Sequence, residues 1–359
     1  MAPLKKLMYL LAIALLATPV WANKTTKLQN ALIDAMGQYQ ISDLSVSVIK
    51  SQNTLYLADL HRDNDAVLTT SSGVTRFRLA SLTKLFTAQA IMQLVEKGCL
   101  SLDDKVSLYI PEFTHSQINI QHLLTHYSGL QDKVRPEPFS PASNIEPYLT
   151  KVLAGNPNIK IGMEFGYSDT GFNLLGHIIT LVSGSSYPEY IEQHILQPAE
   201  MKNSGFYSGP NGLQASVPPF KNAKQLAQNE RRPFDPHFFP AEGLISNVED
   251  LTLWLKMVLT KDPKLLSQSS YQLMFTPHNN TTWHATQIGL SWFMHNRHGR
   301  EYVFHMGGVR GYATIIAIEP KTEQAIIILS NNSETPRWEI VDLIADLIEN
   351  NDTQPINKK

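Results

Sequence analysis

The chain has 359 residues, of which 43% are hydrophobic and 17% charged, and its formal net charge is −2 at pH 7. This composition predicts a globular protein with a substantial core, in one large domain or two. The small net charge gives no reason to expect a nucleic acid or an acidic membrane as a partner. The single cysteine, Cys99, excludes an intramolecular disulfide, and its neighbours Gly98 and Leu100 favour a packed small side chain over a reactive thiol.

The first residues have the layout of an export signal. Lys5 and Lys6 precede an apolar run over residues 7–16, and Val20-Trp21-Ala22 follows. This order predicts a cleavable signal peptide over residues 1–22 and a periplasmic or secreted mature chain. The apolar run is short for a bilayer span, so we expect no stable membrane insertion after cleavage; an uncleaved N-terminal anchor is the alternative.

Strand-like patterns cluster at the two ends of the chain. After a helical pattern at residues 28–36, alternating apolar residues predict strands at 44–49 and 54–60. Near the other end, β-branched and aromatic residues predict four strands and a closing helix, at 287–294, 302–305, 312–318, 325–329 and 338–348.

The middle of the chain is predicted to be mostly helical. Amphipathic patterns cover residues 82–95, 120–125, 171–182, 187–195 and 251–259. Two long Pro-rich connections, 134–143 and 217–240, have the length of loops that border a site. We therefore predict a mixed α/β fold of the α+β kind. Its largely antiparallel sheet comes from about 23–78 and 285–350, with an inserted helical region at about 79–284 and a tail at 351–359.

Ser81 and Lys84 are the first candidate pair for chemistry. They lie at the start of the 82–95 helix, and residues three apart share a helix face, so the lysine amine can reach the serine hydroxyl. A helix start also suits negative charge that develops on a bound acyl oxygen. The lysine acts as a base only if its pKa falls from about 10.4 toward neutrality. Ser-x-x-Lys alone is weak, because a capping serine beside a surface lysine is the common alternative.

Two further segments carry candidate residues. Tyr167 and Asp169 are two apart in an extended turn, so both face one cleft, where a phenol can relay protons because it donates and accepts. His305, Gly307 and Gly308 lie at the end of a predicted strand, where glycines let a substrate lie along the edge. The Gly308 N–H is then a second oxyanion donor opposite that of Ser81. Individually, a core tyrosine and a glycine turn are the common alternatives.

Taken together, the three segments resemble in order and spacing the motifs of class C β-lactamases and of their relatives among the penicillin-binding DD-peptidases and esterases. The resemblance extends to residues 120–130, 165–176 and 241–246, and covers about 30–350. It implies a β-lactamase/transpeptidase-like fold with its site between the sheet and the helical region. It also implies attack on a carbonyl by Ser81, proton transfer by Lys84 and Tyr167, a catalytic His305, and an oxyanion held by the N–H groups of Ser81 and Gly308. The resemblance further implies an acyl-enzyme that is released by water, and no metal or organic cofactor.

Two positions depart from the pattern of this family. Asp169 stands where asparagine is common, and a carboxylate can only accept hydrogen bonds and favours a charged Lys84, which moves the base role toward Tyr167. Met306 lacks the hydroxyl of the usual threonine, which weakens the case for efficient β-lactam hydrolysis. Arg310 is an alternative contact for a substrate anion, or a surface arginine at a strand turn.

These residues predict an exported serine hydrolase that cleaves an ester, an amide or a D-amino-acid peptide bond in a small molecule or a peptidoglycan-like peptide. The alternative is a non-turnover binder of penicillin or peptidoglycan fragments, acting as a sensor or scaffold. Two weaker alternatives are an α/β-hydrolase with Ser168 as nucleophile and a zinc site at His122 and His126. Residue 123 is leucine where a zinc protease helix would place its glutamate, so structural histidines are favoured.

Overall fold

The structure, a computed structural model, describes residues 19–63, 66–140, 145–156 and 159–349. The predicted signal up to residue 18 and the predicted tail at 351–359 lie outside these residues. Along the described chain the strands are β1 (Asp43–Lys50), β2 (Asn53–Asp63), β3 (Ala66–Thr70), β4 (Phe77–Arg78), β5 (Gly205–Phe206), β6 (Phe220–Lys221), β7 (Lys224–Gln225), β8 (Leu244–Ser246), β9 (Asn279–Asn280), β10 (Thr286–Ile288), β11 (Phe293–Arg297), β12 (Arg300–Val309), β13 (Tyr312–Glu319) and β14 (Gln324–Ser330). The helices are α1 (Pro19–Gln38), α2 (Thr83–Glu96), α3 (Val106–Tyr109), α4 (Ile120–Leu124), α5 (Ile145–Gly155), α6 (Asp169–Ser183), α7 (Tyr187–Ile191), α8 (Phe239–Glu242), α9 (Val248–Thr260), α10 (Gln268–Phe275) and α11 (Arg337–Glu349). None of these helices is both long enough and apolar enough to cross a membrane.

One antiparallel sheet joins strands from the two ends of the described chain. Its order is β3-β2-β1-β14-β13-β12-β11-β10-β9. β1 pairs with β14, so the early and late strands meet inside the sheet and enclose the helical middle of the chain between them. The predicted α+β fold with a largely antiparallel sheet is therefore confirmed.

Both faces of the central strands are buried, which explains their almost continuous apolar sequences. On β14, Ile326 and Ile328 pack in the cluster formed with α1 and α11, whereas Ile327 and Leu329 pack in the cluster formed with the helical region. Successive strand side chains point to opposite faces, so each strand contributes to both clusters. Burying each of these side chains contributes about 1.5–3 kcal/mol.

The single strand predicted at 287–294 is wrong, because the segment is a hairpin. β10 and β11 pair antiparallel, and the chain turns between them at residues 289–292. A Cβ on Gly289 would lie 2.2 Å from the Met274 carbonyl oxygen, and Ser291 has a φ of +71°. The alternation of apolar residues continues through this turn, so the sequence pattern does not mark where the chain turns.

α2 is not amphipathic as predicted, since every residue from Thr83 to Leu94 is buried. The helix lies inside the helical region, in contact with α6 and α8. Cys99 follows in the turn after α2 and is exposed, so the prediction that it packs in the interior is also wrong.

The chain just before Ser81 belongs to a second, small sheet. β4 pairs with β8, and β8 pairs with β5, apart from the main sheet. Leu79 N–H continues this pairing by donating to the Leu244 carbonyl oxygen at 2.9 Å. The segment that leads into Ser81 is therefore fixed by backbone hydrogen bonds.

The sequence did not predict α5 and α10.

Candidate active site

Ser81 lies in a tight turn that connects β4 to α2. Residues Ala80–Leu82 form a 3-10 turn, and Ser81 is the one residue from Phe77 to Leu94 that is not fully buried. Ala80 has a φ of +49°, a left-handed conformation that costs a non-glycine residue about 1–3 kcal/mol. Thr83 Oγ1 donates to the Ala80 carbonyl oxygen at 2.7 Å and holds this turn in place. The strained turn presents the Ser81 hydroxyl to the cleft.

Lys84 is completely buried below Ser81. Its Nζ donates to Ser81 Oγ at 3.0 Å, to Asp169 Oδ1 at 2.6 Å and to the Ala241 carbonyl oxygen at 2.9 Å. Burial acts to lower the pKa of Lys84, but the Asp169 carboxylate and Tyr167 outweigh it, so the pKa lies above its ordinary value. An ammonium has three N–H donors, and all three are engaged. Lys84 therefore stands as a cation and not as a free base.

Asp169 is the first residue of α6, and hydrogen bonds from the backbone at this helix start to Asp132 hold it in place. Its N–H donates to Asp132 Oδ2 at 3.1 Å, and the neighbouring Thr170 N–H donates to Asp132 Oδ1 at 2.8 Å. The Asp169 side chain is 23% exposed whereas Lys84 is fully buried, so Asp169 is the member of this ion pair that solvent can reach.

Tyr167 lies over the Ser81–Lys84 pair. Its ring centroid is 5.0 Å from Lys84 Nζ. Burial raises the pKa of Tyr167, while the positive charge of Lys84 acts in the opposite direction. The phenol is therefore protonated near neutral pH and is close to both the nucleophile and the cation.

His126, which the sequence analysis placed among structural residues, supports Tyr167. The two rings stack with centroids 4.3 Å apart, and His126 is fully buried. His126 Nδ1 accepts from the Ser168 N–H at 3.1 Å. Burial holds the pKa of His126 well below its usual value, so the ring is neutral. Its sequence signal was limited to the zinc-like spacing from His122, which instead contributes Nδ1 to the N-cap of α4.

His305 is a buried neutral residue on β12. Its Nδ1 lies 2.9 Å from the Met306 carbonyl oxygen, so Nδ1 carries the proton and Nε2 is an acceptor. Nε2 has no partner in the described part of the chain. Burial, reinforced by the charge of Lys84, lowers the pKa of His305 to about 3. This histidine can accept a hydrogen bond but does not supply the positive charge of a lysine.

Gly307 and Gly308 lie where β12 passes the serine turn. A Cβ on Gly307 would be 2.2 Å from both the Leu79 carbonyl oxygen and Thr314 Oγ1, so only glycine allows this approach. β12 pairs with β11 only as far as Phe304, so among the described strands its next residues have no partner on that side. The oxyanion role of the Gly308 N–H stays a prediction; Gly308 lines the same cavity as Ser81.

One cavity of about 210 Å³ brings most of the predicted residues together. Ser81, Tyr167, His305 and Gly308 line it, and Lys84, Asp169 and Gly307 lie directly behind. Its other walls are Trp283, Phe293, Phe304, Met306 and Arg337.

Arg310 does not line this cavity. Its Nη2 lies 3.4 Å from Glu230 Oε1, and it faces a neighbouring cavity. Arg337 instead lines the Ser81 cavity, and its Nη1 donates to the Gly307 carbonyl oxygen at 2.5 Å. The only sequence signal was an arginine at the first position of a helix, where the helix dipole disfavours positive charge.

The weaker alternatives lack a structural basis. Ser168 is 1% exposed, and its Oγ accepts from the Gly171 N–H at 3.2 Å as the N-cap of α6. The main sheet is antiparallel, unlike the parallel sheet of an α/β-hydrolase. Within the described ranges, no group of three or more histidine, cysteine or acidic residues is placed to hold a metal ion.

The structure thus brings together the serine paired with a buried lysine, the tyrosine above them and the glycine-bearing strand edge that the motifs of the sequence predicted. Residues 28–348 match the β-lactamase family model, so the chain belongs to this family. The resemblance seen in the motifs is thereby confirmed.

Several relatives and solved structures support this assignment. Protein flp of Staphylococcus aureus strain MW2 is 30% identical over 310 residues, which cover 80% of this chain and 58% of flp. The putative penicillin-binding protein PbpX of Bacillus subtilis strain 168 is 30% identical over 72% of this chain and 62% of its own. The chain thus spans about three fifths of the length of these curated relatives.

Among solved structures, the octameric penicillin-binding protein homologue of Pyrococcus abyssi is 29% identical, with a TM-score of 0.74 over 90% of this chain and 77% of its own. The D-amino acid amidase of Ochrobactrum anthropi SV3 is 20% identical, with a TM-score of 0.77 over 91% of this chain and 99% of its own, and shows the same fold. The predicted β-lactamase/transpeptidase-like fold is confirmed by these neighbours.

Proposed function

We propose that this protein is an exported serine hydrolase that cleaves an ester, an amide or a D-amino-acid peptide bond through an acyl-enzyme on Ser81. The observation that carries the proposal is the contact of Ser81 Oγ with the buried Lys84 Nζ at 3.0 Å, in a cavity that also holds Tyr167. The names of a penicillin-binding relative and of a D-amino acid amidase neighbour support carbonyl substrates of this kind.

Acylation follows from the charges of the site. Ser81 Oγ attacks the substrate carbonyl carbon as its proton passes to the Tyr167 hydroxyl, and Tyr167 delivers its own proton to the leaving oxygen or nitrogen. The bond to the leaving group then breaks. Lys84 stays an ammonium and stabilises the charge that develops on the phenol oxygen. The N–H groups of Ser81 and Gly308 stabilise the oxyanion.

Deacylation reverses these transfers. Water attacks the acyl carbon and loses a proton to Tyr167, and Tyr167 returns a proton to Ser81 Oγ. The product acid and the free serine result without a metal or an organic cofactor.

A non-turnover binder is the second candidate function, and one observation favours it. All three N–H groups of Lys84 are engaged, so this residue is not available as the base that would activate water. If Tyr167 alone does not support deacylation, the acyl group remains on Ser81 and the protein acts as a sensor or scaffold for penicillins or peptidoglycan fragments.

Intact-mass spectrometry after treatment with a fluorophosphonate or a penicillin tests the nucleophile. We expect an adduct on the native protein and on Ser168→Ala, the matched change of a nearby serine, but not on Ser81→Ala. An adduct that survives in Ser81→Ala and disappears in Ser168→Ala would overturn the proposal.

A substrate panel separates the two functions. Chromogenic esters, D-alanyl peptides and a chromogenic cephalosporin would be assayed in parallel with the mass measurement. Turnover of at least one substrate supports the hydrolase, whereas a stable adduct on Ser81 without turnover supports the binder.

The export part of the proposal rests on the residue pattern up to Ala22 and implies a periplasmic or secreted protein. Cell fractionation followed by N-terminal sequencing tests it. A mature chain that starts at Asn23 is expected, and an uncleaved membrane-bound chain would favour the N-terminal anchor.

A further inference from the structure

A second cavity, of about 640 Å³, is lined by four arginines. We call it the arginine cavity; its arginines are Arg78, Arg231, Arg232 and Arg310, and its aromatic walls are Phe139, Tyr207, Phe234 and Tyr312. Such a combination of cations and apolar surface suits an organic anion with an apolar body.

The arginine cavity adjoins the Ser81 cavity along two chain segments. Arg78 precedes Ser81 by three residues, and Arg310 follows Gly308 by two. Because three residues span at most about 11 Å and two at most about 7 Å, the backbone that lines one cavity lies within these distances of the backbone that lines the other, which is the length of a short acyl chain.

Two of the four arginines have carboxylate partners. Arg232 Nε lies 2.6 Å from Glu242 Oε1, in a largely buried ion pair. Arg310 Nη2 lies 3.4 Å from Glu230 Oε1, and the Arg310 side chain is half-exposed, so this ion pair is weak and leaves donors free.

The other two arginines have no carboxylate contact in the described part of the chain. Arg78 is 7% exposed; it donates through Nη1 to the Arg232 carbonyl oxygen at 2.7 Å, and its Nε has no partner among the described residues. Arg231 donates through Nε to the Leu226 carbonyl oxygen at 3.3 Å. Arg78, Arg231 and Tyr312 all line the arginine cavity. The Glu242 carboxylate acts on Arg78 but is already paired with Arg232, so the charge of the buried Arg78 is only partly compensated, and a bound anion would complete that compensation.

We propose, on the basis of the proposed hydrolase function, that the arginine cavity binds a carboxylate carried by the acyl portion of the substrate. Tyr167, which protonates the leaving group, lines the Ser81 cavity and not the arginine cavity. The leaving group therefore belongs on the Tyr167 side, and the acyl portion extends past Gly308 toward Arg310. The substrate class is an ester or amide whose acyl chain ends in a carboxylate.

Two esters with the same leaving group and acyl chain length test this assignment: mono-4-nitrophenyl adipate and 4-nitrophenyl hexanoate. Hydrogen bonds to charged groups are among the stronger ones in proteins, so we expect kcat/KM to be about tenfold or more higher for the adipate. Arg231→Gln and Arg310→Gln should each lower the adipate-to-hexanoate ratio toward one. Lys224→Gln removes an exposed positive charge from the same connection outside the cavity and should leave the ratio unchanged.

An adipate-to-hexanoate ratio of one in the native protein would overturn the inference. So would a fall of this ratio in Lys224→Gln equal to that in the arginine variants, because the preference for the adipate would then come from long-range electrostatic attraction. Either result leaves the serine hydrolase intact. Failure of both esters together with the absence of a fluorophosphonate adduct on Ser81 is a different result, which overturns the proposed function and this inference with it.

Discussion

Replacement of Asp169 by asparagine tests how proton transfer in the cleft is arranged. The carboxylate lies 2.6 Å from the ammonium of Lys84, which is fully buried, while the Asp169 side chain is 23% exposed. Loss of one partner of a buried ion pair costs about 3–5 kcal/mol, and we take roughly 2–4 kcal/mol because solvent reaches Asp169. At about 1.36 kcal/mol per unit, this lowers the pKa of Lys84 by roughly 1.5–3 units.

The sign of the effect on stability follows from the same shift. The native pKa of Lys84 is raised, so the ion pair stabilises the fold below about pH 10.4, and the contribution is lost as the pH rises through the folded-state pKa. In Asp169→Asn the attraction is gone and burial works against the ammonium. Urea unfolding near pH 7 should therefore give a free energy of unfolding lower by roughly 2–4 kcal/mol, and the difference should narrow above about pH 10.

Activity should not follow this loss of stability. We expect kcat/KM of Asp169→Asn for a chromogenic ester to be kept near pH 8, because a fall of roughly 1.5–3 units from a raised pKa leaves Lys84 largely an ammonium, and to rise only at higher pH, where Lys84 loses its proton and can act as a base. Asp342→Asn is the matched control, since Asp342 is 20% exposed and pairs with Arg297 outside the site; its activity should stay native. A fall of tenfold or more in kcat/KM of Asp169→Asn, in protein whose circular dichroism spectrum shows that it is folded under the assay conditions, would refute the reasoning and show that the carboxylate is required.

Four further changes probe other parts of the site. Tyr167→Phe should lower kcat/KM by about 10²–10⁴, as expected for loss of a proton relay, whereas Tyr127→Phe, which removes a hydroxyl that donates to the Asn280 carbonyl oxygen on β9, should stay within about twofold of native. His126→Leu leaves a buried N–H without its acceptor, so urea unfolding should show a loss of about 1–3 kcal/mol together with a lower kcat. Arg337→Gln should raise KM about tenfold or more for D-alanyl peptides with a free terminal carboxylate, and little for nitrophenyl esters, in steady-state assays; equal effects on both would exclude an anion contact. The pKa of His305 is lowered to about 3, so its stabilising contribution is complete above pH 6.5 and declines as the pH falls toward 3. Between pH 7 and pH 4 the free energy of unfolding should therefore fall in the native protein by roughly 3 kcal/mol more than in His305→Gln.

The sequence predicts best where a local pattern decides the structure. β13 and β14 are buried on both faces and read as strands from composition alone, and the spacing of Ser81 and Lys84 is sufficient to place them on one helical face. It predicts less well where the apolar pattern does not mark a turn. Leu290 and Trp292 continue the alternation of β10 and β11 through the hairpin, and only the close approach of the backbone at Gly289 shows why the chain turns there.

Features that depend on contacts between remote segments could not be predicted. The full burial of Lys84 follows from the packing of α6 and α8 around α2, and the third acceptor of its ammonium, the Ala241 carbonyl oxygen, carries no side-chain signal. The left-handed conformation of Ala80 is imposed by its surroundings, because alanine has no preference for it. Arg337 reaches the cleft from a helix thirty residues after Gly307, and no motif connects them.

The charges of the cleft divide in a way that matches the proposed chemistry. Around Ser81, Asp169 neutralises the ammonium of Lys84 and His305 is neutral. These three residues therefore place no net positive charge beside the carbonyl of a bound substrate. Free positive charge lies instead in the arginine cavity and at Arg337. In the mechanism that we propose, substrate anions are bound away from the reacting carbon, while the oxyanion that forms only in the transition state accepts from the N–H groups of Ser81 and Gly308. Binding energy from remote groups can thereby orient the carbonyl without stabilising the ground state at the reacting centre, which is the condition under which such contacts raise kcat.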